Sequence, residues 1–245
     1  MVPVTEKVKL TIDDKQVEVE RGQTILEAAQ TAGIEIPLLC YFAHTTANGL
    51  CRLCVVEIDG VRGLQPACIT EARSQAVIHT RSERVERIRR TILEMLAASV
   101  DLSDAPDVLQ MLEDYKAKPE RFNGARKRQP ALIDDNPAYI RDYAKCVLCW
   151  RCVQVCAVDA QFTHAINFSS RGFETQINTF FEKPMTETTC VFCGQCVGVC
   201  PTGALKAKRE YLLEQGVPLD DIYSETRLRG KGKYSRKGPH LDRGA

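Results

Sequence analysis

The sequence contains no long apolar run and almost no net charge. No stretch approaches the roughly 18 consecutive apolar residues that a membrane-spanning helix needs, and the formal net charge is +1. Residues 1–7 do not carry a charged segment followed by an apolar one, which is the usual form of an export signal. These absences predict a cytoplasmic chain without a membrane span, and they give no reason to expect a nucleic-acid partner.

The sequence also lacks the motifs expected of an enzyme that works alone. The glycines at 194–198 lie within a cysteine motif, and those at 230–232 neither follow a strand nor open a helix, so no dinucleotide-binding loop is formed. All twelve cysteines fall into three sets of four, which leaves no thiol for a catalytic nucleophile or a further cluster. We therefore expect a non-catalytic chain that acts with other subunits.

Cysteine itself is abundant, with twelve in 245 residues. In an exported protein this number would suggest disulfides, but clustered C-x2-C motifs in a cytosolic chain favour metal binding. Eight of the twelve form two ladders that read C-x2-C-x2-C-x3-C, and each cysteine of the second ladder lies 44 residues after its counterpart. This is the ligand pattern of a bacterial-type ferredoxin with two [4Fe–4S] clusters.

The spacing also predicts how the two ladders share their ligands. Three thiolates within seven residues can wrap one cluster, while the fourth lies a helical turn further on and points to the other cluster. The first [4Fe–4S] cluster is therefore assigned to Cys146, Cys149, Cys152 and Cys200. The second is assigned to Cys190, Cys193, Cys196 and Cys156.

The N-terminal third predicts a small α+β domain. Alternating apolar residues over 7–20 indicate a β-hairpin that turns at Asp13-Asp14. A helix should follow, with Thr24 and Glu27 as a capping box and Gly33 as its stop. This order suits a β-grasp ferredoxin-like domain.

The third cysteine set lies within this domain. A plant-type [2Fe–2S] site spaces its ligands C-x4-C-x2-C…C, whereas here the first gap is ten residues, which indicates a longer-looped relative. His44 lies in that loop and could tune the cluster. The predicted [2Fe–2S] ligands are Cys40, Cys51, Cys54 and Cys68.

A helical connector should follow. Ser82 can cap a helix that runs to about Ser99, and a second helix is expected over 106–117. The buried face of the first helix is predicted to carry Val85, Ile88, Ile92, Met95 and Leu96. Its outer face is predicted to carry Glu83, Arg84, Glu86, Arg87, Arg89 and Arg90.

The predicted domain organisation has four parts. Residues 1–80 form the [2Fe–2S] domain, 81–136 the helical connector and linker, and 137–210 the domain with two [4Fe–4S] clusters, with a hairpin near 173–177 between its ladders. Residues 211–245 form a C-terminal tail that is basic and Gly-rich from Thr226 onward. This tail has too little apolar content to fold alone and is expected to dock on a partner.

The whole pattern resembles a known family of iron–sulfur modules. The cysteine spacing over 40–68, followed by Asn136-Pro137, Arg141-Asp142-Tyr143 and the first ladder, is similar to the N-terminal region of the large iron–sulfur subunit of respiratory complex I. It is also similar to the small diaphorase subunit of NAD-reducing hydrogenases, and to the N-terminal parts of iron-only hydrogenases and NAD-dependent formate dehydrogenases. The likeness covers about residues 4–210.

The sequence departs from this family at three places. Many members carry an extra cluster held by one histidine and three cysteines, but the corresponding residues 97–104 contain neither residue type, so that cluster should be absent. Ala157 stands where a proline usually follows the last cysteine of the ladder. Trp150 stands where a small residue is usual, and could shield the first [4Fe–4S] cluster or face a docked subunit.

Three clusters without a substrate site predict an electron wire of low reduction potential, as used in anaerobic metabolism. The resemblance implies that the wire joins a flavin subunit that binds NAD(P)H to a second redox or catalytic subunit. The terminal substrate stays open among hydrogen, formate, ferredoxin, a quinone and an aromatic acyl thioester, as do the direction of flow, the potentials and the stoichiometry.

Two alternatives compete with this prediction. The iron–sulfur subunit of succinate dehydrogenase or fumarate reductase also places a [2Fe–2S] domain before a ferredoxin-like one, but its [2Fe–2S] loop is short and its cysteine sets are less regular. A zinc-binding protein associated with nucleic acid would use two C-x2-C pairs for each site. The cysteines here come instead as a threesome plus one.

Overall fold

The computed structural model describes residues 6–226, which group into two compact units. The first contains the residues up to Arg128 together with Cys149–Arg151. The second contains Gln129–Leu148 and the residues from Cys152 onward. Both units combine helices with strands, which confirms the predicted α+β class. None of the helices in the described range is long and apolar enough to span a bilayer.

The first unit is built on a five-stranded mixed sheet. Its strands run in the order β2-β1-β5-β3-β4, with β1 and β5 parallel and the other pairs antiparallel. A parallel pair of the first and last strands at the centre of the sheet is the β-grasp topology that the hairpin–helix order predicted. The strands are β1 (Lys7–Ile12), β2 (Lys15–Glu20), β3 (Val55–Ile58), β4 (Gln65–Pro66) and β5 (Val77–His79).

The hairpin of β1 and β2 turns at Asp13-Asp14, as predicted. Both aspartates have positive φ, 44° and 67°, which matches the tight hairpin turns whose twist suits that of the flanking strands. The Asp13 carboxylate also accepts a hydrogen bond of 2.7 Å from the backbone N–H of Thr80. The turn is therefore tied to the residue that follows β5.

Helix α1 (Ile25–Thr31) covers one face of this sheet. The predicted capping box is present: the Thr24 hydroxyl accepts from the Glu27 N–H, and the Glu27 carboxylate accepts from the Thr24 N–H at 2.6 Å. Gly33 has a φ of +65°, so it ends the helix as predicted. The buried residues of α1 join the strands in one apolar core, among them Leu10, Ile12, Ile25, Leu26, Val56 and Ile78.

The connector helices are α2 (Glu83–Ser99), capped by Ser82 as predicted, and α3 (Pro106–Asp114). The predicted buried face of α2 was right at Val85, which is fully buried, and wrong at Ile88 and Met95. Ile88 and Met95 are 38% and 54% exposed, whereas Arg89, placed outside by the charge pattern, is only 1% exposed. Val85, Arg89 and Leu93 are spaced four residues apart and form a fully buried stripe along α2. Arg89 can be buried there because backbone carbonyls at the start of β3 accept hydrogen bonds from its guanidinium.

The second unit has two short antiparallel strand pairs. β6 pairs with β9, and β7 pairs with β8 in a hairpin whose turn covers 170–175, close to the predicted position. The strands are β6 (Tyr139–Arg141), β7 (Ile166–Ser169), β8 (Gln176–Thr179) and β9 (Leu205–Ala207). The remaining α-helices within residues 6–226 are α4 (Arg151–Gln154), α5 (Gln195–Gly198), α6 (Lys208–Glu214) and α7 (Leu219–Glu225).

Buried ion pairs fasten β6 and α6 to the segment before them. Lys208, at the start of α6, is 1% exposed and bonds the Asp134 carboxylate. Arg141, in β6, is equally buried and bonds Asp135. Helix α6 crosses position 210, where the sequence placed a domain boundary. The basic tail predicted from Thr226 lies, beyond that residue, outside the described range.

Candidate iron–sulfur sites

The four cysteines assigned to the [2Fe–2S] cluster lie together as two pairs. The backbone N–H of Cys51 points at Cys40 Sγ over 3.4 Å, and the N–H of Cys40 points at Cys51 Sγ over 3.5 Å. Cys54 Sγ lies 3.4 Å from Cys68 Sγ. A [2Fe–2S] cluster takes two thiolates on each of its two irons, so a donor set made of two thiol pairs fits this group.

Each pair contains one thiol that ionises easily. The hydrogen bond from Cys40 lowers the pKa of Cys51 to about 6, and that from Cys68 lowers the pKa of Cys54 to about 7. The same hydrogen bonds raise the pKa values of Cys40 and Cys68, because the second proton of each pair leaves against an existing thiolate. Since thiolates are the metal ligands, the site is partly prepared for iron.

The loop before Cys51 depends on a glycine. Gly49 has a φ of +63°, and a Cβ placed there would lie 2.6 Å from Ile69 Cδ1. The backbone conformation therefore favours glycine at this position, whereas Ile69 Cδ1 is the flexible end of an exposed side chain that can move aside. The long loop between the first two cysteines, which distinguishes this chain from the plant-type spacing, is thus a defined structure.

Helix α1 fixes the segment that carries Cys68. The N–H groups at its first turn have no partner within the helix. The Leu26 N–H donates to the Ala67 carbonyl at 3.0 Å, and the Ile25 N–H donates to the Thr70 carbonyl at 2.8 Å. Cys68 lies between these two carbonyls and is buried. The capped start of α1 therefore positions the fourth cysteine of the set.

The second unit brings Cys156 to the three leading thiols of the second ladder. Burial raises the pKa of Cys196 to about 12, and the neighbouring Cys190, Cys156 and Cys193 contribute to that rise. These are the four residues that the sequence assigns to the second [4Fe–4S] cluster. The structure thus places the fourth thiol from the other ladder, as ligand sharing requires, while the ligand assignment itself stays a prediction.

Polar groups outside the cysteine set surround this second site. The backbone N–H groups of Phe192 and Ala165 donate to Cys190 Sγ and Cys156 Sγ at 3.4 and 3.3 Å. The Tyr139 hydroxyl lies 3.7 Å from Cys190 Sγ. Such donors favour a thiolate and tune a bound cluster. The cysteine spacing gave no sign of Tyr139, which reaches the site from β6.

The first ladder repeats the backbone of the second. Leu148 and Trp150 have φ values of 55° and 71°, and their counterparts 44 residues later, Phe192 and Gly194, have 56° and 77°. The 44-residue sequence repeat is therefore also a conformational repeat. Glycine adopts this conformation without strain, whereas tryptophan does so rarely. This gives a backbone reason for the small residue that the family uses at position 150.

Cys146 and Cys152 lie at the buried base of the first ladder. Cys146 Sγ accepts from the Leu148 N–H at 3.4 Å. Burial, opposed by Arg141, raises the pKa of Tyr143, and the thiols of Cys152 and Cys146 add to the rise. Cys149 and Trp150 group with the first unit, and Trp150 is half-buried.

His44, the other residue predicted to influence a cluster, is exposed and lies edge-on to Phe42, with ring centres 5.4 Å apart. Its influence on the cluster stays a prediction. Arg89 was missed as a residue near the [2Fe–2S] site. Its spacing of four from Val85 and from Leu93 is the signal that could have placed it on the buried stripe of α2.

Comparison with known proteins gives two domain matches. Residues 5–83 match the model of a 2Fe-2S iron-sulfur cluster binding domain, and residues 145–204 match that of a 4Fe-4S dicluster domain. These matches cover all twelve cysteines and account for one [2Fe–2S] and two [4Fe–4S] clusters, which confirms the predicted cofactors.

The similar full-length proteins are components of NAD(P)-linked complexes. The chain is 36% identical over 222 residues to the NADP-reducing hydrogenase subunit HndD of Solidesulfovibrio fructosivorans, a match that covers 84% of this chain and 37% of that protein. It is 36% identical over 207 residues to an NADH-quinone oxidoreductase subunit of Rhizobium meliloti (strain 1021), covering 81% and 24%. The chain therefore spans about a quarter to just over a third of the length of these relatives.

A solved structure shows the same fold. A chain of the NAD+-reducing [NiFe]-hydrogenase in its H2-reduced state superposes with a TM-score of 0.73 at 28% identity, covering 82% of this chain and 87% of that one. These relatives are those that the sequence predicted in preference to a succinate dehydrogenase type of subunit or a zinc protein. The chain belongs to the family of iron–sulfur electron-transfer modules found in NAD(P)-linked hydrogenases and NADH-quinone oxidoreductases.

Proposed function

We propose that this chain relays single electrons between a flavin subunit that oxidises or reduces NAD(P)H and a second redox or catalytic subunit. The observation that carries the proposal is the presence of three cysteine sets with the donor arrangement of a cluster relay and no remaining cysteine for a catalytic cluster. Each cluster supplies a one-electron couple when it is bound. The protein's own task is to hold the thiolates, bury them and set their surroundings.

The two kinds of site differ in how they hold a charge that changes by one electron. In the first unit, the cysteines lie in turns and loops beside the sheet, and the backbone N–H groups of Cys40 and Cys51 point at each other's sulfur. In the second unit, backbone N–H groups point at sulfur from loops with left-handed residues. Fixed donors of this kind stabilise added negative charge without reorganisation.

The relatives support the partners in outline. They are named as subunits of an NADP-reducing hydrogenase, an NADH-quinone oxidoreductase and an NAD+-reducing hydrogenase. We infer that this chain likewise docks on a flavin subunit that binds NAD(P)H, with its basic tail from Thr226 as one contact. The terminal acceptor stays open among those that the sequence allows, and the cytoplasmic location stays a prediction.

The test uses the complex purified from its native host through an affinity tag on this chain. Electron transfer from NAD(P)H to the distal subunit is measured for the unmodified complex and for Cys149→Ser. The matched control is Val147→Ser, which makes a polar change two residues away and leaves every thiol in place. We expect Cys149→Ser to abolish transfer to the distal subunit while reduction of the flavin subunit by NAD(P)H continues.

The opposite results are equally clear. Undiminished long-range transfer in Cys149→Ser, with the first [4Fe–4S] signal lost, would show that the proposed relay is wrong. A purified complex without any flavin or NAD(P)H-binding subunit would refute the proposed partner.

A further inference from the structure

Arg89 is a buried cation whose side chain donates hydrogen bonds to the backbone on both sides of Cys54. Its Nε donates to the Leu53 carbonyl at 2.9 Å, and its Nη2 donates to the Val55 carbonyl at 2.8 Å. These are the carbonyls on either side of Cys54. Its Nη1 donates to the Thr80 carbonyl at 2.9 Å and to the Tyr115 hydroxyl at 3.0 Å. One planar guanidinium therefore fixes the backbone on both sides of a predicted cluster ligand, where the turn before β3 enters the strand.

Arg89 differs from the other buried charges of the described residues. Arg141, Lys208 and Glu94 each form an ion pair, with Asp135, Asp134 and Arg121 respectively. Within residues 6–226, Arg89 forms no ion pair with a carboxylate, its four hydrogen bonds go to neutral oxygens, and its guanidinium lies 6.0 Å from the centre of the Tyr115 ring. A buried charge without a counter-charge costs several kcal/mol on an order-of-magnitude scale. An anionic neighbour is therefore to be expected.

The thiols of the [2Fe–2S] site are that neighbour. Cys54 lies between the two carbonyls that Arg89 binds, and the Cys54 thiol opposes the lowering of the Arg89 pKa that burial causes. Two ferric ions, two sulfides and four thiolates sum to a doubly negative group, and reduction of one ferric ion to ferrous adds one more negative charge. A fixed positive charge beside this group stabilises the reduced form more than the oxidised form.

We propose that Arg89 is the built-in counter-charge of the [2Fe–2S] cluster and raises its reduction potential, acting through the backbone on both sides of Cys54. The inference rests on the proposed assignment of Cys54 as a ligand. It explains why an arginine occupies the buried stripe of α2 between Val85 and Leu93. It also links the connector helix to the redox property of the domain that precedes it.

The test is a redox titration of the [2Fe–2S] electron paramagnetic resonance signal in the full-length chain. The signal is recorded at a temperature at which the faster-relaxing [4Fe–4S] signals have broadened away. Arg89→Gln removes the charge and keeps a hydrogen-bond donor, and Arg89→Lys keeps the charge but loses the planar fork. The matched control is Arg90→Gln on the same helix, because Arg90 donates to the Tyr115 carbonyl and not to the cysteine loop.

We expect Arg89→Gln to lower the equilibrium constant for reduction at least tenfold, about 59 mV for a one-electron couple. The reduction potential of Arg89→Lys should lie closer to that of the unmodified chain than the potential of Arg89→Gln does. The potential of Arg90→Gln should equal that of the unmodified chain. The proposal would be overturned if Arg89→Gln, with its [2Fe–2S] cluster bound, kept the reduction potential of the unmodified chain. It would also be overturned if the potential fell equally in Arg89→Gln and Arg89→Lys. Loss of the [2Fe–2S] signal from both variants, with the [4Fe–4S] signals kept, would also overturn it, since Arg89 would then build the site rather than set its potential.

A separate variant keeps this result distinct from the ligand assignment. Cys54→Ser should abolish or alter the [2Fe–2S] signal of an otherwise unmodified chain. An unchanged signal in Cys54→Ser would reject Cys54 as a ligand. An altered signal there, together with an unchanged potential in Arg89→Gln, would reject only the role of Arg89.

Discussion

The first unit buries a continuous apolar core between its sheet and α1, and its capped helix and two hairpin strands of six residues support that burial. The second unit also buries apolar residues, such as Ile166 and Ile177, and adds buried ion pairs at Arg141 and Lys208. The strands of the second unit have three or four residues. The comparison teaches that one domain presents a cluster on a scaffold, and the other depends on its clusters as part of the scaffold.

Removal of all iron is expected to have the largest effect. It should unfold the second unit and leave the first unit folded. Metal binding contributes folding free energy where the apolar core is small. In apo-protein prepared with a chelator and a reductant, β1–β5 should keep their protection from hydrogen exchange, while β6, β9 and α5 should exchange like an unfolded chain. Peptide-level hydrogen exchange by mass spectrometry checks this. Equal protection of both units in the apo-protein would contradict the comparison.

Lys208→Met should destabilise the second unit by about 3–5 kcal/mol, because it leaves the Asp134 carboxylate without its buried partner. The control is Lys206→Met, two residues earlier on β9, whose partner Glu214 is about half exposed, so the expected cost is about 1 kcal/mol or less. The denaturant midpoint of the anaerobic holoprotein, followed by cluster absorbance, measures both. Similar midpoints for the two variants would show that burial of the pair does not matter.

Thr24→Ala should cost the first unit about 1 kcal/mol, since it removes the side-chain acceptor of the capping box. The control Thr31→Ala, at the exposed end of the same helix, should stay within about 0.5 kcal/mol of the unmodified chain. Chemical denaturation followed by the [2Fe–2S] absorbance reports the difference. If Thr24→Ala destabilised the second unit instead, the proposal that the two units differ in what stabilises them would be wrong.

Tyr139→Phe should have the smallest effect. It removes a hydroxyl 3.7 Å from Cys190 Sγ and should weaken the reduced state of the second [4Fe–4S] cluster by less than about 1 kcal/mol, which lowers its potential slightly. The matched change is Tyr211→Phe on α6. Redox titration of the [4Fe–4S] signals compares the two, and a raised potential in Tyr139→Phe would show that the hydroxyl is not a donor to the site.

Local chemistry made most of the fold of the first unit predictable. The alternation over residues 7–20, the Asp13-Asp14 turn and the Thr24–Glu27 capping box each act within a few residues, and all three are present in the structure. The hairpin between the ladders was also predicted near its observed position. The face of α2 was not, because the pattern of charges along a helix does not show which carbonyls of a distant strand await a donor.

The sequence by itself determined the three cysteine sets, their cluster types and the family, because cluster ligation demands thiolates at fixed short spacings. The ladder spacing already predicted that Cys156 lies with Cys190, Cys193 and Cys196. Only the tertiary structure decided which thiols of the [2Fe–2S] site form pairs. It likewise placed Tyr139 beside Cys190 and Arg89 beside Cys54. The contact of Tyr139 with Cys190 and those of Arg89 with the residues beside Cys54 join positions 34 to 51 apart. At such separations the packing of strands and helices, rather than local spacing, sets which groups meet.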